Sequence, residues 1–259
     1  AKDLKSGYAV QVSAPDNLGG KGVREAYALA FVYGDGSFHQ RYPRAEAALC
    51  GAKEAVLGRL EDAGIDHEVS FDKRNILRVY FKNHDIFRSR NKETFPDEVF
   101  SWDFKSRLEF LAGLADADGN YNNKSLRIGS KHFDFLQGVQ RLCDSLGLVG
   151  MINKGSKGGY EGSSDESWMI VIKGDLSIIP TSRFKMIDTE LPDVKVVDVV
   201  DAGVSDVYCC DVGVSEHSFM AEGVIISNCT EVTSADDSDV CNLGSLNFGR
   251  IESVDELSE

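Results

Sequence analysis

Two aspartates, Asp35 and Asp118, close apolar segments of the same shape: ALAFVYGDG from Ala28 to Gly36 and LAGLADADG from Leu111 to Gly119. The segments align without a gap at an offset of 83 residues. Each carries small residues four apart, Ala30 and Gly34 in the first, Gly113 and Ala117 in the second. Helices cross closely only where side chains are small. A crossing at these residues would bring the two C-terminal ends together and set Asp35 against Asp118. Adjacent carboxylates repel unless a hard cation lies between them, and such a donor pair suits Mg²⁺. One Asp-Gly after an apolar helix is ordinarily a helix stop. Two at equivalent repeat positions, with the small residues repeated, point to a built site.

LAGLADADG differs at one position of nine from the signature LAGLIDADG, and ALAFVYGDG resembles the degenerate YGDG form of endonucleases embedded in inteins. Residues 21–190 therefore resemble a LAGLIDADG (DOD-type) homing endonuclease with repeats at about 24–100 and 104–190. The resemblance implies a saddle of two sheets over double-stranded DNA, at the intein-less host gene, and Mg²⁺-dependent phosphodiester cleavage. In that family, metal at the positions of Asp35 and Asp118 activates water or stabilises the leaving oxygen. It also implies phosphate contacts from Arg41, Arg44, Arg74, Arg78, Lys124, Arg127 and Lys131. Most of these seven read equally well as solvated surface charges. Lys92, in NKETFPDEVF, stands where intein endonucleases carry a lysine that assists catalysis, with a solvated lysine as the competing reading. The first repeat reads as lacking one hairpin of the usual sheet, so a DNA-binding domain without cleavage stays open as the alternative.

Residues 207–229, VYCCDVGVSEHSFMAEGVIISNC, resemble the C-terminal end of an intein. The order of groups suits the chemistry. The Asn228 side-chain amide can attack its own carbonyl, closing a succinimide and releasing residue 229. Cys229 is a thiol able to accept an acyl group from an upstream thioester. By the same resemblance His217 assists proton transfer. Ser227 replaces the usual penultimate His, which implies slower or rearranged cyclisation. Cys209 falls where an Asp is common after Val-Tyr, and Asp211 fits instead under a two-residue slip. AKDLKSGYAVQVS near the start resembles the last strand of an intein's N-terminal half. No N-terminal nucleophile and no Thr-x-x-His block is present, so the chain is expected to need an upstream intein and extein fragment, supplied in trans, for splicing.

After the junction, CTEV and SDVCNLGSLN resemble the active-site region of the ribonucleotide reductase large subunit. Cys229 would be the thiyl-radical cysteine, Glu231 its neighbouring carboxylate, and Cys241 one of a redox-active pair. Such radical chemistry needs a cofactor and a barrel that this stub does not supply. An inactive reductase fragment is the remaining alternative.

The fold class expected is α+β. A two-repeat endonuclease, αββαββα in each repeat and pseudo-twofold, is inserted in an all-β Hedgehog/intein (HINT) domain with a largely missing N-terminal part. The divisions are 1–20 for the intein N-terminal remnant, 21–190 for the endonuclease, 191–228 for the splicing segment and 229–259 for the extein stub. Helical periodicity predicts an apolar helix from Arg24, a second over Ala45–Ala63, a third over residues 104–119, and an amphipathic fourth over FDFLQGVQRLCDSLGL. HEVSFD, NILRVYF, SLRIGS and WMIVIKG read as strands, with another near Ser37–Tyr42. Past Val194 the short runs VKVVDVVD, DVYCCDVGV, HSFMAEG and VIISN predict a compact β-region. Cys50 and Cys143 are expected in apolar helices as core residues.

Composition bounds these readings. The 259 residues carry 28 basic and 42 acidic side chains, a net charge of −14 that argues against nucleic-acid binding. The acidity is segregated: residues 21–190 have net charge −1, while residues 191–259 carry −13. Six cysteines without CxxC spacing speak for a reduced, cytoplasmic setting. No apolar run approaches the length of a membrane span, so no membrane partner is expected. A monomer is expected.

Overall fold

The structure, a computed structural model, describes residues 19–82, 84–155, 167–191, 196, 198–201, 218–221 and 224–227. The chain divides into two units, Ala1–Gly203 with Met220–Ile225, and Val204–Phe219 with Ile226–Glu259. The first unit contains one helix–sheet motif built twice.

The first copy runs α1 (Ala26–Asp35), β1 (Gly36–Phe38), β2 (Ala45–Leu49), α2 (Val56–Asp62), β3 (Glu68–Phe71) and β4 (Leu77–Phe81). The second runs α3 (Phe104–Asp118), β5 (Gly119–Asn122), β6 (Ser125–Ser130), α4 (Phe133–Ser145), β7 (Val149–Lys154) and β8 (Trp168–Lys173). The sheets have the same order, β1-β2-β4-β3 and β5-β6-β8-β7, antiparallel throughout. The first repeat therefore lacks no hairpin, and that expectation is overturned. Among the described residues no third helix closes either copy. The first ends in 3₁₀ turns at Asp85–Phe87 and Asp97–Ser101, and the second in one at Leu176–Ile178.

α1 and α3 are the spine. Ala26 to Tyr33 are all buried, and so are Phe110 to Ala117. A helix apolar on every side is stable only when surrounded, here by its partner helix and by sheet residues such as Ala47, Val79, Ile128 and Ile170. Full burial of each such Leu, Phe or Val contributes about 1.5–3 kcal/mol. The approaches to the two helices are stitched together. Lys21 N–H donates to Ser101 O at 3.1 Å, Asp103 N–H to Lys21 O at 3.1 Å, and Val23 N–H to Ser106 Oγ at 2.8 Å. Asp103 caps α3 by accepting from Ser106 N–H at 2.7 Å, which holds its carboxyl below the usual range.

The helix expected over Ala45–Ala63 is a strand, a 3₁₀ turn and a short helix. Ala45, Ala47 and Leu49 are buried in alternation and pair with β1 and β4. Alanine's preference for helix hid a strand that cross-strand pairing imposes. Cys50 consequently lies outside any helix and is exposed. Cys143 is buried on α4 as expected, and burial pushes its thiol pKa up. Residues 198–201 are not in a strand, whereas β9 (Ser218–Ala221) and β10 (Val224–Ser227) are where HSFMAEG and VIISN predicted strands. DVYCCDVGV lies outside the described residues, as do Cys209, His217, Asn228, Cys229, Glu231 and Cys241.

Candidate functional site

The small residues do what their spacing predicts. A methyl group placed on Gly113 would lie 2.3 Å from Tyr27 O and 2.8 Å from the Ala30 Cβ. One on Gly34 would lie 2.3 Å from the Ala117 Cβ and 3.1 Å from Asp118 Oδ2. So Ala30 faces Gly113 and Gly34 faces Ala117, a twofold-like exchange that lets two backbones nearly touch. The motif glycines that follow serve space as well: a Cβ on Gly36 would meet Glu46 O at 2.5 Å, and one on Gly119 would meet Ala115 O at 2.3 Å. Neither adopts the left-handed backbone of a glycine helix stop, since φ is −110° and −73°.

The crossing sets the ends of α1 and α3 together, so that the Asp35 charge acts on Asp118 and a Cβ on Gly34 would lie 3.1 Å from Asp118 Oδ2. Burial, then the Asp35 charge, hold the Asp118 carboxyl above the usual carboxylate range, against the opposing pull of Lys53, Lys92 and Arg183. Lys92 stands over the end of α1 and donates to Gly34 O at 2.8 Å and to Gly36 O at 2.9 Å. Burial lowers its pKa, while Asp118 and Asp35 support the charge. It is therefore not a solvated lysine. Lys53, from the 3₁₀ turn after β2, forms an ion pair with Asp35. The cleft has a volume of about 460 Å³ and is lined by Tyr33, Gly34, Lys92, Asp118, Lys131 and His132 among others.

Periodicity did not reveal three residues. Lys53 was hidden inside a misread helix. Asp116, the first Asp of the second motif, is fully buried and structural. It accepts from Tyr27 O–H at 2.7 Å, Ser182 N–H at 2.7 Å and Arg183 N–H at 3.0 Å. Burial and the Asp116 charge push the Tyr27 phenol pKa well up. Arg183 donates to Asp116 O at 2.5 Å and Ala117 O at 3.2 Å. It thus stands over the end of α3 as Lys92 stands over α1. Each follows the last strand of its own sheet by a similar length of chain, and this repeat-to-repeat equivalence was the available signal.

The candidate DNA contacts are dispersed. Arg41 and Arg44 lie exposed in the β1–β2 turn and Arg74 in the β3–β4 turn. Arg78, on β4, is engaged by Asp72 at 3.2 Å with Glu46 at 3.7 Å. Lys124 sits in the two-residue turn Asn123–Lys124, both with positive φ, and Arg127 is on β6. Only Lys131 of the seven lines the cleft of Asp118.

The pair of carboxylates fits a hard divalent cation. A bound cation would relieve both the burial and the repulsion that disfavour charge on Asp118. No group of three or more acidic, His or Cys side chains converges among the described residues. The rest of the coordination would fall to water and phosphate, as Mg²⁺ tolerates.

Residues 105–185 match the LAGLIDADG-like domain family. The preceding repeat has the same α+β element order and the same strand order as the matched region. The chain is 27% identical over 259 residues to the ribonucleoside-diphosphate reductase large subunit of Invertebrate iridescent virus 6, covering 87% of this chain and 26% of that protein. It is 23% identical over 344 residues to the NrdEB subunit alpha of Bacillus subtilis (strain 168), covering 98% and 31%. The chain thus spans between a quarter and a third of the relatives it matches. Among solved structures, variants of the homing endonuclease I-DmoI align with a TM-score of 0.42 at 18% identity, over 58% of this chain and 88% of that one. The N-terminal LAGLIDADG domain of DUF199/WhiA aligns at 0.38 and 15%, over 57% and 76%.

Proposed function

We propose that the LAGLIDADG-like repeats form a site-specific, Mg²⁺-dependent DNA homing endonuclease, and that the chain belongs to an intein hosted by a ribonucleotide reductase gene. The observation that carries the endonuclease reading is the glycine-dependent helix crossing that brings the Asp35 charge to bear on Asp118. Asp35 and Asp118 would hold the metal, whose chemistry there is to polarise the scissile phosphate and activate water. Lys92 and Arg183, fixed to the helix-end carbonyls, offer preorganised positive charge to a phosphate as negative charge develops on it. Lys53 balances Asp35 until a cation competes for that carboxylate. Lys131, at the cleft rim, is suited to orient the sugar–phosphate backbone.

Cleavage of a duplex spanning the uninterrupted reductase gene tests this reading. The unsubstituted chain is expected to cut in Mg²⁺ and not in EDTA, and Asp35→Asn or Asp118→Asn should abolish cutting with the circular dichroism spectrum retained. Undiminished cutting by both variants would sink the assignment.

The splicing part of the reading is supported by similarity to reductase subunits over 87% and 98% of this chain. That similarity extends far beyond the stub after residue 228. In this reading Asn228 cyclises, with His217 and Ser227 beside the scissile bond and Cys209 a weaker candidate, while Cys229 accepts the acyl group. Cys229, Glu231 and Cys241 would then resume their reductase roles in the spliced host. Mass spectrometry after incubation with thiol and an N-terminal intein fragment should show release of residues 229–259, blocked by Asn228→Ala. Persistence of the intact mass would refute it.

A further inference from the structure

The two sheets are alike in topology and differ in the charge of two open strand rows, which carry Glu46, Glu68 and Arg78 in the first and Arg127 alone in the second. Pairing registers put Gly36 opposite Ala47 in one and Gly119 opposite Ile128 in the other, which fixes equivalent positions. One row across the first sheet is Ser37, Glu46, Tyr80 and Glu68. The equivalent row across the second is Asn120, Arg127, Val171 and Met151. The next row is Ala48, Arg78 and Ser70 in the first, against Gly129, Met169 and Asn153 in the second. In the second sheet Leu126, Ile128, Ile170 and Ile172 are buried on the side where α4 meets β7 and β8, so the alternating rows face away from that helix.

On the first sheet's open face the cations are spent internally. Arg78 lies between Asp72 and Glu46, and Lys82 pairs with Glu68. Residues 119–132, 149–155 and 167–174 of the second sheet contain Lys124, Arg127, Lys131, Lys154 and Lys173 and no Asp or Glu. Among the described residues Lys124, Arg127, Lys131 and Lys173 form no ion pair, and the Arg127 Nε is buried without a hydrogen-bond partner.

From this we infer that the second sheet's open face is the dominant DNA-reading half, and that it prefers an A·T-rich half-site in the major groove. The inference rests on the proposed endonuclease function. Phosphate attraction needs cations that are not already neutralised, and on the strand faces those are Arg127 and Lys173 of the second sheet, whereas the first sheet's unpaired cations among the described residues, Arg41, Arg44, Lys73 and Arg74, stand in its turns. The side chains between them suit one base pair. Asn120 and Asn153 amides match the adenine N6 and N7 edge, and Val171, Met151 and Met169 present apolar surface to thymine methyls. Glu46 and Glu68 in the equivalent row of the first sheet engage Arg78 and Lys82 and offer phosphate no attraction. The first repeat thus contributes Lys92 to the cleft, with Asp35 beside it, and reaches phosphate from its turns rather than from its strand face.

Fluorescence anisotropy on the full chain tests this with duplexes of roughly 30 base pairs, about three helical turns. Each phosphate-neutralising cation adds about 0.9 to the slope of log affinity against log salt. Arg127→Gln/Lys173→Gln is expected to cut the slope by about 1.8 and weaken binding tenfold or more. Arg78→Gln/Lys82→Gln should change the slope by less than about 0.5. An A·T-rich duplex should bind about tenfold tighter than a G·C-rich one, and Met151→Ser/Val171→Ser should narrow that ratio. Equal slope losses from the two double variants, or a preference that survives the serine pair, overturn the inference. Heparin displacing the protein as readily as unlabelled duplex of equal charge overturns it too, as a general polyanion patch. Absence of any duplex binding by the unsubstituted chain overturns the endonuclease reading itself.

Discussion

Replacing Gly113 by Ala puts the crossing on trial. The added Cβ would sit 2.3 Å from Tyr27 O, more than 1 Å inside an ordinary contact of about 3.5 Å. The atom it meets is backbone, so no rotamer change relieves it, and α1 and α3 must part by about 1 Å. Overpacking of this kind costs about 1–3 kcal/mol, and a clash with backbone belongs at the upper end, about 3 kcal/mol. Against it stands the helix preference of Ala over Gly, about 1 kcal/mol. The net loss is about 2 kcal/mol, a fall in Tm of roughly 4–8 °C for a unit of this size. Parting the helices also moves Asp35 from Asp118, and a misplacement of about 1 Å costs about a hundredfold in rate. Thermal melts by circular dichroism and Mg²⁺-dependent cleavage rates read both effects. Gly58→Ala is the control, because a Cβ there meets nothing within 4 Å on α2. It should raise stability by about 1 kcal/mol. A Gly113→Ala protein that melts no lower than the unsubstituted chain would refute the close crossing as the device that builds the site.

Two further substitutions probe the carboxylates. The folded-state pKa of Asp118 is raised by burial and by Asp35, so its contribution to stability is present in acid and lost as pH rises through that pKa. Asp118→Asn, neutral at every pH, should therefore melt higher than the unsubstituted protein at pH 7 and lose that advantage in acid, while losing cleavage. A lower Tm at pH 7 would contradict the sign. Asp116→Ala leaves Tyr27 O–H and the N–H groups of Ser182 and Arg183 without their acceptor. At about 1–3 kcal/mol for each buried unmet group, the loss should reach several kcal/mol, visible as a large drop in the denaturant midpoint. A change below about 1 kcal/mol would mean the carboxylate is not the anchor the geometry describes.

The helix spine was legible because it is written in side-chain size. Ala30, Gly34, Gly113 and Ala117 predict the crossing, and the crossing predicts where Asp35 and Asp118 meet. Segments whose period matches their element, such as NILRVYF on β4 and FDFLQGVQRLCDSLGL on α4, were equally readable. β2 was not, because Ala45, Ala47 and Ala48 carry the local preference of a helix and only pairing with two neighbours makes them a strand. That misreading concealed Lys53 and with it the ion pair to Asp35. The charge total misled for a related reason. Net charge says nothing of which strand face a residue occupies, and Glu46 and Arg127, equivalent in the two sheets, have opposite signs.

The two motifs differ at the position two residues before the catalytic candidate, Tyr33 in one and Asp116 in the other, and the difference carries a job rather than decay. Asp116 reaches the chain returning from its sheet and binds the backbone of Ser182 and Arg183, which holds Arg183 over the end of α3. Tyr33, with a phenol pKa pushed up by burial to about 12, lies beside Arg90 on the corresponding return from the first sheet, two residues before Lys92. In both repeats one helix position secures the returning loop, and that loop brings a cation to the last turn of the helix. A carboxylate does this through backbone N–H groups. A tyrosine offers no carboxylate to backbone N–H groups, and Lys92 is held through its own Nζ bonds to Gly34 O and Gly36 O. The first repeat's YGDG is therefore a different solution to placing a cation beside the paired aspartates, and its departure from the signature is no evidence against a working site.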